Sequence, residues 1–322
     1  MMTAVVLLAA CSQDTADEQP VVLEQDAALR ISRVSRAFAS NPEYGDIRIF
    51  LTNGTTATEG LFKHEGGASW TTQLKLKSGQ KTYRLYGYMP DNAAFESSIS
   101  DWDNNGAVLH IEQLPPLATQ DYCIVTGVRK VANASDETAA VRGAFSFNYD
   151  SQQENYINLF LDRLYSHIVF SMKVGDDYNA LRTIKIKSMK LQLASVSHYN
   201  VDITLAEGDG ISSVAHTKVA GTETCELTMK DSELTLTTTM TEVCSGYVIP
   251  ATTLINGVSL VTDYDIYDKK GNKLAEQTAT NKLAGPLDAL QHGEEYRLQV
   301  TIDPSYLYDL SPEDPPFVVI KE

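Results

Sequence analysis

Short segments in which apolar and polar residues alternate recur along most of the chain. In the first of them, Ile47, Ile49 and Leu51 share one face of an extended backbone. Alternation with period two over five to eight residues, bounded by Gly, Pro, Asn or Asp, is typical of half-buried strands. The further predicted strands are Gln73–Lys77, Tyr83–Tyr88, Asp121–Val128, Gly143–Phe147, Ile168–Val174, Thr183–Leu193, Thr222–Met229, Glu233–Met240, Val258–Tyr267 and Glu295–Asp303. No long stretch has a helical period, so the pattern predicts an all-β fold of two tandem sandwiches.

Three local features refine this prediction. The apolar positions of Thr183–Leu193 change phase near Lys187, which indicates a β-bulge because side chains alternate strictly along a regular strand. Asp268–Asn272 has the composition of a hairpin turn, with Gly271 where a positive φ is needed. Asp91–Asp103 lacks the alternation, and we expect a loop or a short helix there.

The chain length of 322 residues predicts about two domains. Ser146–Asn155, with the sequence SFNYDSQQEN, is polar and rich in turn-forming residues. We therefore place the boundary at this segment, which gives an N-terminal sandwich of residues 37–150 and a C-terminal sandwich of residues 151–322.

The first residues have the pattern of an export signal. Residues 1–10, MMTAVVLLAA, form an apolar block that is too short to span a bilayer but long enough for the core of a signal peptide. Cys11 follows directly, and Leu8-Ala9-Ala10-Cys11 resembles the lipobox of bacterial lipoproteins. We expect residues 1–10 to be removed and Cys11 to carry several acyl chains, which would anchor the protein stably in the outer membrane.

Composition and charge exclude some functions. The chain has 26 Lys and Arg against 42 Asp and Glu, a formal net charge of −16. Nucleic-acid binding requires cationic side chains that replace counterions on phosphates, so a nucleic-acid partner is not expected. With 43% hydrophobic residues the chain is too apolar for a disordered protein.

Motifs for catalysis are missing from the sequence. None of the six histidines lies in a HExxH spacing, and no GxSxG, P-loop or GxGxxG motif is present. We therefore predict that the protein is not an enzyme and needs no cofactor. The alternate acids Asp263, Asp265 and Asp268 resemble an oxygen-ligand loop, but the Gly and distal Glu of an EF-hand are misplaced, so no metal site is expected.

Cysteines and aromatic residues leave alternatives open. Cys225 and Cys244 lie in neighbouring strand-like segments and either form one disulfide or are small buried hydrophobic residues. Tyrosines number 16, and aromatic side chains on a sandwich surface can stack on sugars. The alternative is that the rings fill half-buried strand positions. Glycan contact is predicted at Trp70 and Trp102 if these side chains are exposed.

The ensemble of these features resembles the fimbrillin-like lipoproteins of Bacteroidales, which are subunits of surface fimbriae. The segments that carry the resemblance are Cys11, Val34–Ala37, Tyr83–Pro90, Leu164–Ile168 and Tyr296–Tyr308. The resemblance covers essentially the whole chain and implies two transthyretin-like sandwiches after a lipidated arm. It also implies that an arginine-specific protease removes the arm and that a donor strand of another subunit fills the vacated groove.

For this sequence, the resemblance implies that residues 11–36 form the tether and arm and that cleavage occurs between Arg36 and Ala37. Arg30 and Arg33 are competing cleavage sites, and the apolar residues of the arm change phase between Ile31 and Val34. The C-terminal run Pro315–Ile320 is a candidate donor strand. Its prolines interrupt the hydrogen-bond ladder, so a tip or accessory position in the fimbrium stays open beside a stalk position.

Two functions are therefore predicted. The first is a structural or adhesive fimbrial subunit at the cell surface, with other fimbrial subunits, the outer membrane, and host or bacterial surface glycans or proteins as partners. The alternative is a stand-alone surface lipoprotein that binds glycans through exposed aromatic residues.

Overall fold

The computed structural model describes residues 26–36, 44–77, 80–150, 154–251, 258–283, 290–302 and 317–321. Within these residues the chain forms twenty-four strands and one short helix. The elements of the first half are β1 Ala27–Arg36, β2 Ile47–Thr52, β3 Ala57–Gly66, β4 Ser69–Thr72, β5 Lys75–Leu76, β6 Thr82–Met89, β7 Ser97–Ser100, β8 Gly106–Leu114, β9 Leu117–Ala118, β10 Cys123–Val131, β11 Ser146–Asn148 and β12 Asn155–Arg163. Those of the second half are β13 Ser166–Val174, α1 Asp176–Leu181, β14 Arg182–Leu193, β15 His198–Ala206, β16 Gly210–Val219, β17 Glu223–Glu226, β18 Thr228–Met229, β19 Leu234–Thr235, β20 Thr241–Val248, β21 Val258–Asp268, β22 Lys273–Lys282, β23 Glu295–Ile302 and β24 Phe317–Lys321.

The strands form four sheets. Sheet I has the order β4-β3-β2-β6-β10-β12-β1-β5, with β11 beside β6, and sheet II has the order β16-β15-β8-β7. Sheet III has the order β17-β14-β21-β22, with β19 beside β14. Sheet IV has the order β18-β20-β13-β23-β24, with β9 beside β20. The all-β prediction is confirmed, and the sheets pack in a sandwich-like arrangement.

Two hydrophobic clusters form the core. The arm-side cluster contains buried residues of sheet I alone, among them Ile49, Leu85 and Leu159. The larger cluster joins the opposite face of sheet I, represented by Tyr86 and Tyr88, to buried residues of the other three sheets. Sheet I is therefore buried on both faces. Its end strand β4 also contacts β1, so the sheet curves around the arm-side cluster.

The domain boundary predicted at 150/151 remains a prediction. Strand pairing continues across it, because β12 pairs antiparallel with β10 and so belongs to sheet I. Sheet II also combines the two halves of the chain, since β15 pairs with β8.

Several local predictions are confirmed and one is wrong. The register of β14 against β21 shifts between Ile186 and Ser188, which confirms the bulge near Lys187. Gly271 has a φ of 87°, as the predicted hairpin turn requires. The segment 91–103 contains the strand β7, contrary to the expected loop or helix, because pairing with β8 compensates for its weak apolar pattern. No helix in the described part of the chain is long and apolar enough to cross a membrane.

Candidate functional site: the arm strand and its groove

The arm strand β1 occupies an interior position of sheet I. It pairs parallel with β12 from Leu29 to Arg36, and Ala27 and Ala28 pair antiparallel with β5. An N-terminal segment thus lies between two strands that come later in the chain. Residues 27–36 are therefore an integral strand of sheet I.

A bulge in β1 explains the change of phase in its apolar residues. Ile31 pairs with Ile157 and Arg33 with Asn158, so Ser32 is the additional residue. The Ser32 hydroxyl donates a hydrogen bond to the Ala134 carbonyl oxygen at 2.7 Å. Because one extra residue reverses the alternation, apolar side chains on both sides of the bulge point to the same face.

That face of the arm is buried. Leu29 is 2% exposed, and Ile31 and Val34 are also buried, all three in the arm-side cluster. Cluster residues near them along the paired strands include Ile157 and Leu159 of β12. The arm therefore contributes a continuous apolar stripe to the interior of sheet I.

Ion pairs hold the outer face of the arm. Arg30 Nη2 lies 2.8 Å from a carboxylate oxygen of Glu154, and Arg33 Nη1 donates to the Glu137 carbonyl oxygen at 3.2 Å. A hydrogen bond from Tyr156 and, secondarily, the charge of Arg30 lower the pKa of Glu154. These side chains are half exposed or more, so solvent screens the pairs and they mainly fix the register of the arm.

The predicted processing site lies at the end of this strand. Arg36 is the last residue of β1 and pairs with Leu161, while the preceding Ser35 hydroxyl donates to the Leu159 carbonyl oxygen at 3.0 Å. Ala37 and the lipidation site Cys11 lie outside the described residues. Cleavage after Arg36 and lipidation of Cys11 stay predictions.

The two tryptophans differ in environment. Trp70 is 6% exposed in the arm-side cluster, and its indole N–H donates to the Gly45 carbonyl oxygen at 3.0 Å. The Tyr44 ring packs edge-on against it at 5.0 Å between centroids. Trp70 is therefore a core residue, and the condition of exposure for glycan contact is not met there. Trp102 is partly buried against the larger cluster, and glycan contact at this residue stays a prediction.

The remaining candidate positions have structural roles. Cys225 and Cys244 are free thiols in different sheets, so the disulfide alternative is wrong. Cys244 is a small buried residue, as the other alternative predicts, whereas Cys225 is partly buried. Burial raises the pKa of Cys225 to about 11. Asp263 accepts hydrogen bonds from Ser188 and Thr278 across neighbouring strands.

The other two aspartates of this group also act within sheet III. Buried Asp265 pairs with Lys273 at 3.0 Å, and Asp268 accepts the backbone N–H groups of Lys270 and Asn272 in the hairpin turn. No group of three or more potential metal ligands is found among the described residues.

The C-terminal strand lies at the edge of sheet IV. In β24, Phe317 to Lys321 pair antiparallel with β23, from Ile302 to Leu298. Pro315 and Pro316 of the predicted donor segment lie outside the described residues. The described part of that segment thus occupies an edge of its own chain in this structure.

The acidic partners of the arm were not predicted from the sequence. Glu137 lies 104 residues from Arg33 in the chain, so no local pattern connects the two. The only signal in the sequence is the spacing of Arg30, Arg33 and Arg36, with the apolar residues between them.

No protein-family model matches the chain, and no curated protein is similar to it in sequence. Among solved structures, a fimbrial protein from Bacteroides vulgatus is 13% identical with a TM-score of 0.51, over 92% of this chain and 98% of that one. A proposed cell adhesion protein from Bacteroides uniformis is 13% identical with a TM-score of 0.46, over 94% and 98%.

The fimbrial anchor protein Mfa2 from Porphyromonas gingivalis is 13% identical with a TM-score of 0.35, over 92% and 96%. Of the three, the Bacteroides vulgatus protein has the TM-score that supports a shared fold. At this level of identity the similarity establishes the fold. The chain therefore has the all-β fold of a Bacteroides fimbrial protein, which is the fold that the resemblance to fimbrillin-like lipoproteins predicts.

Proposed function

We propose that the protein is a structural or adhesive subunit of a surface fimbria, assembled by strand addition after removal of its arm. The observation that carries this proposal is the interior position of β1 in sheet I. An N-terminal segment that pairs with β12 along most of its length and with β5 at its beginning can be released by one cleavage of the chain, at its C-terminal end. The fold shared with a fimbrial protein supports the same function.

Removal of the arm would leave a groove that needs another strand. Removal of the arm takes the buried side chains of Leu29, Ile31 and Val34 out of the core. Burial of an apolar side chain stabilises by about 1.5–3 kcal/mol, so the three together contribute about 5–9 kcal/mol. A typical domain has a net stability of only about 5–15 kcal/mol. The backbone groups of β12 and β5 would also lose their partners, and such open edges accept strands from other chains.

The pairing of the arm favours Arg36 over the two competing cleavage sites. Arg30 and Arg33 lie inside the paired strand and contact Glu154 and Glu137, so a protease reaches them only after much of β1 has left the sheet. Arg36 is the terminal paired residue, and fraying of a strand end requires far less free energy than opening of its middle.

The C-terminal strand is the proposed donor. Among the described strands β24 pairs with β23 alone and lies at the edge of sheet IV, so it can leave without dividing a sheet. Its apolar run Phe317–Ile320 matches the apolar stripe that the groove loses. The prolines before it limit its length, and a tip or accessory position remains part of the proposal.

Export and anchoring complete the proposal. Lipidation of Cys11 would place the chain at the outer membrane, with the arm between the anchor and the folded body. Surface glycans or proteins are proposed as further partners, with Trp102 as the candidate glycan contact. The stand-alone glycan-binding alternative is weaker, since Trp70 is buried.

The test treats the full chain with an arginine-specific protease and identifies the new N-terminus. We expect Ala37 at the N-terminus and a shift from monomers to higher oligomers in size-exclusion chromatography. Arg36→Lys should remain uncut and monomeric, whereas the matched control Arg30→Lys should behave as the wild type. Oligomers that form equally well from the uncut Arg36→Lys protein would contradict the proposal.

A further inference from the structure

The outer face of sheet II carries a serine, a histidine and an aspartate on three adjacent strands. Ser98 of β7 and Asp202 of β15 both pair directly with His110 of β8. Ser100 pairs with Val108, the next residue of β8 on the same face as His110. The alternate residues Ile99, Leu109 and Ile203 pack on the larger cluster on the other face. Strand register therefore fixes where Ser100, His110 and Asp202 lie, although 92 residues separate the last two in the chain.

These three side chains are joined by two short hydrogen bonds. Ser100 Oγ lies 2.7 Å from His110 Nε2, and His110 Nδ1 lies 2.7 Å from an Asp202 carboxylate oxygen. The carboxylate can only accept when ionised, so it selects the tautomer with the proton on Nδ1. Nε2 of that tautomer carries the lone pair, and the Ser100 hydroxyl must donate to it.

This is the connectivity that activates a serine nucleophile: hydroxyl to Nε2, and Nδ1–H to carboxylate. Such sites are recognised by geometry and by the roles of the groups, independently of fold and order in the sequence. In contrast to the expectation from the missing sequence motifs, we propose that Ser100 is a nucleophile that accepts acyl groups from esters, with His110 as its general base and Asp202 as a positioning residue for the imidazole.

The proposed reaction balances without a cofactor. Ser100 Oγ forms a bond to the ester carbonyl carbon while its proton passes to His110 Nε2. The carbon–oxygen bond to the leaving alcohol then breaks, and His110 returns the proton to that alcohol. Water, deprotonated by His110, then attacks the acyl carbon. The bond from that carbon to Ser100 Oγ breaks, the acid leaves, and His110 returns the proton to Ser100 Oγ.

The surroundings define the substrate class. The three side chains lie on an open sheet face, so the site fits small acyl groups or acyl groups displayed on an extended chain. Asp101, next to Ser100, has a φ of 50°, and its carboxylate oxygen lies 3.3 Å from Ser100 Oγ. A carboxylate at this position repels the developing oxyanion, and we expect Asp101→Asn to accelerate acylation several-fold.

The alternative is a purely structural cross-strand network, and covalent labelling distinguishes the two. The folded full chain is treated with a fluorophosphonate, and the modified serines are mapped by mass spectrometry. We expect Ser100 to be labelled faster than Ser98, and a burst of about one nitrophenolate per chain with p-nitrophenyl acetate. Ser100→Ala should abolish both signals, and the matched control Ser98→Ala should preserve them.

Two further variants test the base and its orientation. His110→Gln should slow the labelling of Ser100 by about 100-fold or more, as expected for loss of a general base. Asp202→Asn should slow labelling and also move the imidazole proton of His110 from Nδ1 to Nε2, visible in nitrogen-15 NMR shifts. Labelling of Ser100 no faster than Ser98, or labelling that is unchanged in His110→Gln, would overturn the proposal.

Discussion

Leu29 provides the most direct probe of arm docking. Its side chain is 2% exposed and lies in the arm-side cluster, next to the pairing of β1 with β12. Leu→Ala at buried sites typically destabilises by about 2–5 kcal/mol. Leu29 lies near the beginning of the strand, where the structure can partly relax into the cavity, so we expect about 2–3 kcal/mol from Leu29→Ala.

The expected effect is local and is best measured by amide hydrogen exchange. A loss of about 2–3 kcal/mol raises the exchange rate of amides protected by the arm by roughly 30- to 140-fold. The affected amides are those of β1 and of Ile157 and Leu159 on β12. Amides of sheet III, which has no strand in common with sheet I, should exchange as in the wild type.

The chain offers a matched control for the same substitution. Leu274 of β22 is 51% exposed, so Leu274→Ala should change stability by less than about 0.5 kcal/mol. If the amides of β1 and β12 exchange no faster in Leu29→Ala than in Leu274→Ala, the arm is not packed in the core and the prediction is refuted.

Three further predictions concern other parts of the molecule. Burial, and secondarily His292, lower the pKa of His216 from 6.5 to about 4, so the unfolded chain binds more protons between these values. The free energy of unfolding, measured by urea titration, should therefore fall as pH decreases from 6.5 to 4, and His216→Leu should make it depend less on pH. The same pH dependence in His216→Leu and in the wild type would contradict this prediction. Cys225 and Cys244 should stay reduced in air, and at pH 8 iodoacetamide should modify Cys225 slowly and buried Cys244 only after unfolding, whereas a disulfide found by mass spectrometry would disprove the free thiols. Trp70→Phe loses one indole hydrogen bond, so the free energy of unfolding should fall by about 1 kcal/mol while any glycan binding is unchanged; loss of glycan binding in the folded variant contradicts a core role.

Local strand features could be predicted from the sequence because side-chain alternation is itself local. The bulge at Lys187 and the turn around Gly271 each follow from a few consecutive residues. The phase change between Ile31 and Val34 is local in the same way, and the structure explains it by the bulge at Ser32. A phase change inside an apolar stripe is therefore compatible with a fully paired strand.

Features that depend on distant residues could not be predicted. β7 has a weak apolar pattern and is held by pairing with β8, so the sequence of 97–100 alone does not identify it. The ion pair of Arg30 with Glu154 and the alignment of Ser100, His110 and Asp202 depend on strand register across sheets I and II. Register between strands that are far apart in sequence is set by the complete core, which no single segment encodes.

The central claim is that residues 26–36 form a replaceable strand of sheet I. The most direct test is the N-terminal sequence of the subunits in isolated fibres. We expect these subunits to begin at Ala37. Fibres whose subunits retain residues 26–36 would contradict it.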